Sequence, residues 1–280
     1  ALPIYKKILT IQDISCVGQC SLTVALPIIS ACGVETCVLP SAVLSTHTGG
    51  FKGFTFRDLT DDMPAIERHW LSENIKFDAL YTGYLGSAQQ IDYVIDILNN
   101  TMSEGGISII DPAMADNGKL YVGFDNNFVD AMRKLCSKAD YVLPNITEAC
   151  LLTNTEYKTQ YGQEYINGLL NKLTGLGAKN VILTGVGYKE GKTGVVVYDN
   201  GQYNYYEHRK IAQGSHGTGD VYASAFVGAV LNNKSVYESA KIAADYTVKC
   251  IENTQDGTNH WYGCKFETAI PDLLKMLGKL

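Results

Sequence analysis

Short apolar runs alternate along the chain with longer stretches whose apolar positions recur every three or four residues. Residues 8–12, 35–40, 77–82, 107–111, 141–143 and 181–184 carry the β-branched and aromatic runs of buried strands. Helical periodicity lies between them, at 21–31, 57–71, 88–99, 124–136 and 162–173. Pro27 bends the first of these helices, and Asp62-Met63-Pro64 interrupts the second. Residues 45–53 read as a Gly/Thr/His loop, and Gly105-Gly106 as a break before the next strand. Beyond residue 184 the rhythm changes. Residues 194–198 and 202–208 flank Asp199-Asn200-Gly201, a hairpin signal, and helical patterns return at 221–231, 235–251 and 271–277.

Strands alternating with helices over short connections predict an α/β three-layer sandwich, with a mainly parallel central sheet flanked by helices. No linker, repeat or low-complexity stretch divides the chain, so a single domain over residues 1–280 is expected. In such sheets ligands lie beyond the C-terminal ends of strands. Gln12-Asp13, Thr82-Gly83-Tyr84, Asp111, Asn145 and Thr184-Gly185 each fall where a predicted strand stops, which places them around one cleft.

Composition narrows the function. Hydrophobic residues make up 46% of the chain and charged residues 19%, as in folded globular proteins. The net charge is 23 − 29 = −6, which predicts neither a nucleic-acid nor an anionic-membrane partner. No apolar run approaches the roughly 20 residues of a spanning helix, and residues 1–7 lack an export signal, so a cytoplasmic protein is expected. The eight cysteines show no second pair at zinc spacing and read as buried free thiols.

Three segments carry chemistry. Gly214-Ser215-His216-Gly217-Thr218-Gly219-Asp220 leads into an apolar helix. Its glycines let backbone approach a ligand, and the helix start offers unpaired N–H groups to an anion such as a phosphoryl group. Asp220, in the first turn, is placed to take the proton of an attacking hydroxyl. The competing reading is that Thr218 or Asp220 simply caps the helix. Asp111-Pro112-Ala113-Met114-Ala115-Asp116 and Asn145-Ile146-Thr147-Glu148 follow neighbouring strands. Asp111, Asn145 and Glu148 supply oxygen ligands suited to Mg²⁺, although Asn145 to Glu148 also fits a helix cap. Ser45 to Gly50 brings His47 into a polar loop as a substrate contact, and Tyr84 offers an aromatic face. Gly191-Lys192-Thr193 is no P-loop, because Val186 stands where its first glycine belongs.

Together these segments resemble the ribokinase-like superfamily, and within it the pyridoxal kinases. Gly217-Thr218-Gly219-Asp220 resembles the anion-hole and base motif, and Asn145-x-x-Glu148 the magnesium motif. Ile11-Gln12, His47-Thr48-Gly49, Thr82-Gly83-Tyr84 and Asp111 to Asp116 are similar to segments of the vitamin B6 branch. The resemblance implies ATP-dependent phosphorylation of the 5′-hydroxymethyl group of a B6 vitamer. Asp220 would be the base, and Gly217, Thr218 and Gly219 would stabilise the γ-phosphate. Asn145 and Glu148 would organise Mg²⁺ with Asp111, and Asn145, Thr184, Gly217 and Gly219 would contact ATP. Asp13, His47, Thr48 and Tyr84 would hold the vitamer. A homodimer and a response to K⁺ are implied as well.

Two departures stand out. Asp13 replaces the serine usual in Gln-Ser-His, and Gly18-Gln19-Cys20-Ser21 replaces a Gly-x-x-Gly-Asn segment. A carboxylate at position 13 favours a protonated ring nitrogen or an amino group, which admits pyridoxamine or an aminopyrimidine. Hydroxymethylpyrimidine kinase is therefore the nearest alternative. Sugar and nucleoside kinases carry an inserted lid for which residues 37–56 leave little room. A non-catalytic metabolite-binding protein of the same fold is a further alternative, against which Asp220 and the loop glycines argue.

Overall fold

The computed structural model describes residues 5–211, 216–255 and 260–280. In chain order the elements are β1 (Lys7–Val17), α1 (Leu22–Ala31), β2 (Glu35–Thr46), β3 (Phe56–Asp58), α2 (Met63–Ser72), β4 (Phe77–Thr82), α3 (Ala88–Thr101) and β5 (Met102–Ile110). There follow β6 (Ala115–Asp116), β7 (Lys119–Leu120), α4 (Asn126–Cys136), β8 (Tyr141–Val142), α5 (Ile146–Leu152), α6 (Gln163–Gly175) and β9 (Asn180–Thr184). The chain closes with β10 (Lys192–Asp199), β11 (Gln202–Arg209), α7 (Thr218–Leu231), α8 (Val236–Thr254) and α9 (Ile270–Leu277).

Nine strands form one sheet in the order β11-β10-β9-β8-β5-β4-β1-β2-β3. The six from β9 to β2 are parallel, while β3, β10 and β11 add antiparallel edges. Side chains alternate between the two faces, so Leu9 and Ile11 of β1 enter one core and Ile8 the other. Helices α2 to α6 cover the first face, and α1, α7, α8 and α9 the second. This is the three-layer sandwich expected.

Helix α7 is buried from Val221 to Leu231, as its uniformly apolar sequence requires. Gly228 allows it to lie close to α1, since a Cβ there would stand 2.4 Å from Cys32 Sγ. The start of α7 is thus held on a fixed platform. Strand β1 pairs with β2 on one side and β4 on the other, so the chain reverses its direction of winding at this point. The crevice of a doubly wound sheet opens at such a switch, here beyond Gln12 and Thr82. No helix among the described residues is long and apolar enough to cross a membrane.

Several boundaries differ from the sequence expectation. Strands β1 and β2 run on to Val17 and Thr46, still paired with each other past the end of β4, so Ser45 and Thr46 belong to a strand rather than the loop. The expected helix at 57–71 divides. Residues 56–58 pair with β2, Thr60–Asp62 make a 3₁₀ turn, and α2 opens with Pro64 in its first turn, where the missing N–H costs nothing. Gly105-Gly106 marks a register shift within β5 rather than its start. The β6–β7 hairpin turns at Asn117 and Gly118, both with positive φ. Cys32, Cys136, Cys150 and Cys250 are buried, and Cys16 is exposed.

Candidate active site

The start of α7 is open. Gly217, its N-cap, adopts φ 73° and ψ 8°, and no side chain among the described residues caps the helix. The competing reading of Thr218 and Asp220 as caps therefore falls. The Val221 N–H reaches Gly217 O at 3.0 Å, which leaves the preceding N–H groups available to an anion. Only glycine fits at 217, because a Cβ would lie 1.9 Å from the Gln19 carbonyl oxygen and the φ is left-handed. Burial pushes the Asp220 carboxyl up to about 7; the Ser21 N–H opposes the rise and the Asp13 charge adds to it. Gly214 and Ser215, the beginning of this motif, lie outside the described residues.

Asp13 lies next to this helix start, at the switch point. A register shift between Gln12 and Ile14 re-aims Asp13, which is 5% exposed. Ser15 Oγ donates to Asp13 Oδ2 at 3.1 Å. Burial raises the Asp13 pKa, while the Ser21 and Ser15 hydroxyls and His47 oppose the rise. Ser21 itself holds φ 55°, a backbone conformation unusual for serine.

Tyr84 stacks on Phe124 at 5.5 Å, which stacks in turn on Phe128 at 3.8 Å. Burial, followed by the charges of Asp13 and Asp58, raises the pKa of its hydroxyl. His47 Nδ1 accepts from the Gly49 N–H at 3.1 Å, so Nε2 carries the proton and donates to Tyr262 O at 2.8 Å. Both nitrogens are engaged, and the ring is buried. It lies 5.0 Å from the Phe51 ring and 5.2 Å from His216. Trp261 completes this wall against Phe51 at 4.6 Å, and Thr48 is exposed on the same loop.

The third group is acidic. Asn145 Oδ1 accepts from the Glu148 N–H at 2.9 Å, and Glu148 Oε2 accepts from the Asn145 N–H at 2.8 Å, a capping box on α5. Asn145 Nδ2 donates to Ala115 O at 2.8 Å, and Glu148 Oε1 accepts from the Met114 N–H at 3.2 Å. Burial lifts Glu148 to about 8. Asp111 is pushed well above the carboxylate range by burial, then by the charges of Glu148 and Asp220.

Among the described residues none of Asp13, Asp111, Glu148 and Asp220 joins an ion pair. A buried Glu148 beside a half-buried Asp111, neither in an ion pair among the described residues, suits a divalent ion. No cluster of three or more metal-binding side chains exists among the described residues, so phosphate oxygens and water must complete any coordination sphere. Asp116 is exposed. Thr184 bridges to Asn145 and donates its hydroxyl to Pro144 O at 3.3 Å.

The strand-end rule therefore gathers Asp13, Tyr84, Asp111, Asn145 and Thr184 along one edge of the sheet, with Asp220 electrostatically linked to Asp13 and Asp111. Sequence reasoning missed Ser21, Phe51, Trp261 and Tyr121, whose hydroxyl feels Glu148 and Asp111. An uncapped helix start, a half-buried carboxylate and a group of aromatic side chains thus lie together at the switch point of a doubly wound sheet.

The family model for phosphomethylpyrimidine kinase matches residues 26–264, and the chain belongs to that family, in its pyridoxal kinase branch. It is 29% identical over 240 residues to pyridoxal kinase of Dictyostelium discoideum, which covers 79% of this chain and 77% of the relative. A Bacteroides thetaiotaomicron structure described as a phosphomethylpyrimidine kinase, solved with pyridoxal, superposes with TM-score 0.91 at 36% identity over 96% of both chains. Pyridoxal kinase from Lactobacillus plantarum superposes with TM-score 0.89 at 30% identity over 97% of both chains. The protein is a kinase.

Proposed function

We propose that the protein transfers the γ-phosphoryl group of ATP to the 5′-hydroxymethyl group of a vitamin B6 vitamer, with Asp220 as general base. One observation carries the reading: a half-buried carboxyl in the first turn of a helix whose glycine N-cap leaves its N–H groups open, next to Asp13. The hydroxyl oxygen attacks the γ-phosphorus, its proton passes to Asp220, and the bond to ADP breaks. The N–H groups of Thr218 and Gly219 stabilise the charge on the transferring group. Mg²⁺, held by Asp111 and Glu148 with phosphate oxygens, would neutralise the phosphates. Asn145 positions Glu148, and Thr184 lines the ATP side. The pyridoxal in the Bacteroides structure supports this choice of acceptor.

The pH dependence tests the base. Asp220 works only when deprotonated, so kcat/KM for pyridoxal is expected to rise with pH through about 7, tenfold per unit below it. A rate independent of pH between 5.5 and 7.5 (about two units, spanning that limb) would remove Asp220 from the role.

Asp13 makes the reading finer. A buried carboxylate without a counter-ion favours a ligand that brings a positive charge, such as a pyridinium N–H or an aminomethyl group. Asp13→Ser is expected to lower kcat/KM for pyridoxamine relative to pyridoxal by about tenfold, with the KM for ATP within about twofold. An unchanged vitamer ranking sinks this selectivity. A second reading, hydroxymethylpyrimidine as acceptor, is favoured by the matched family model and by the same carboxylate facing an aminopyrimidine.

A further inference from the structure

The turn between β1 and α1, residues 18–21, touches both halves of the cleft. Gly18, at φ 107°, lies against the His47 ring, where a Cβ would come within 2.1 Å of Cδ2. The Gln19 carbonyl forms the wall behind Gly217. The Ser21 N–H faces Asp220 and its hydroxyl faces Asp13.

The C-terminal segment grips this turn from outside. The Gln19 N–H donates to Tyr262 O at 3.3 Å. Gln19 Nε2 donates to both carboxylate oxygens of Glu267, at 2.8 and 2.9 Å. His260 Nε2 donates to Gln19 Oε1 at 2.8 Å. Gly263 lies so close that a Cβ would stand 2.5 Å from Gln19 Cβ. Tyr262 O, which holds the Gln19 N–H, also accepts the His47 Nε2–H at 2.8 Å. One carbonyl thus ties the His47 loop to the turn that backs the phosphoryl-binding helix start.

We propose that Gln19 is a positioning residue for phosphoryl transfer: through Glu267 and His260 it fixes the carbonyl wall behind Gly217, and so the alignment of the first α7 N–H groups and Asp220 with the pocket. The proposal rests on the kinase reading of this cleft. The Gln19 side chain is turned to Glu267 and His260 rather than to Asp220 or Asp13. Its side-chain amide and backbone N–H are spent on the C-terminal segment, and its carbonyl oxygen lies against Gly217. A displacement near 1 Å at such a wall costs up to about 10²-fold in rate. Loss of surface-accessible hydrogen bonds displaces it less.

The test is a mutant cycle read as kcat against KM, with Tm beside it. Gln19→Ala and Glu267→Ala are each expected to lower kcat about tenfold and leave the vitamer KM within about twofold, because His47 keeps its own bond to Tyr262. The double variant is expected to be no slower than Gln19→Ala alone, since that change already removes the linkage to Glu267. Glu267→Gln keeps an acceptor oxygen and is expected to restore kcat to within about twofold of wild type. Unchanged kcat in Gln19→Ala, additive losses in the double variant, or a Glu267→Gln enzyme as slow as Glu267→Ala each overturn the proposal. Mg-ADP affinity, measured by calorimetry without any acceptor, is expected to follow the same ranking. A wild type that phosphorylates no vitamer therefore counts against the functional reading alone, and an ADP ranking that departs from this order counts against the clamp.

Discussion

Replacing Asp220 by Asn is expected to lower kcat by about 10³-fold while Mg-ATP and the vitamer still bind. Asparagine keeps the shape of the side chain and the contact with the Ser21 N–H. It cannot take a proton. Because Asp220 sits in the first turn of a helix buried along its length, the substitution leaves the platform intact. The acid limb of the pH profile should disappear with the carboxyl. The assay is turnover by ADP release together with calorimetric binding of both ligands. A variant that keeps more than about a tenth of wild-type kcat would place the base elsewhere.

Gly217→Ala is expected to be nearly as damaging for a different reason. The methyl group would meet a backbone carbonyl at 1.9 Å, which no side-chain rotation relieves, and alanine must also hold φ 73°. The loop has to move, and the helix-start N–H groups move with it. Preorganised donors lose their value when displaced, so kcat should fall about 10²-fold. Vitamer binding at Asp13 and Tyr84 should change little. Gly219 provides the contrast: among the described residues nothing beyond its own turn of helix lies within 4 Å of where a Cβ would stand, and its φ is ordinary. Gly219→Ala should fold with wild-type stability, so any loss of rate there reports space needed by the phosphates. A Gly217→Ala enzyme with near-normal kcat would show that the close approach to Gln19 is dispensable.

Hydrophobic periodicity and strand-end position made much of this cleft legible. Asp13, Tyr84, Asp111, Asn145 and Thr184 all follow from knowing where buried strands stop, because a parallel sheet puts those ends together. The extensions of β1 and β2 were not legible. They run on within the sheet past the end of β4, where Cys16 and Val17 are exposed and no apolar alternation marks them. Strand β3 is exposed throughout and looks like the first turn of the helix beyond it. Helix α5 is only seven residues long, too short for periodicity to declare itself.

The Asn145–Glu148 pair shows a limit of local pattern. The same four residues encode a capping box and a buried carboxylate beside Asp111, and both are present. Only burial and the neighbouring charge separate a plain cap from an acid that faces a cleft. Gln19 is a harder case. Its partner Glu267 lies 248 positions away, and neither residue falls in a periodic or glycine-rich pattern. Such a contact exists only once α8 has brought the C-terminal segment back across the sheet.

The central claim, phosphoryl transfer from ATP to a B6 vitamer, is tested most directly by a substrate panel read by mass. The protein would be incubated with Mg-ATP and, separately, pyridoxal, pyridoxine, pyridoxamine, hydroxymethylpyrimidine and ribose, with ADP release followed alongside. A phosphate adduct on at least one B6 vitamer, formed faster than on the pyrimidine and absent with ribose, is the predicted result. Phosphorylation of the pyrimidine alone, or ATP binding without transfer to any vitamer, would contradict it.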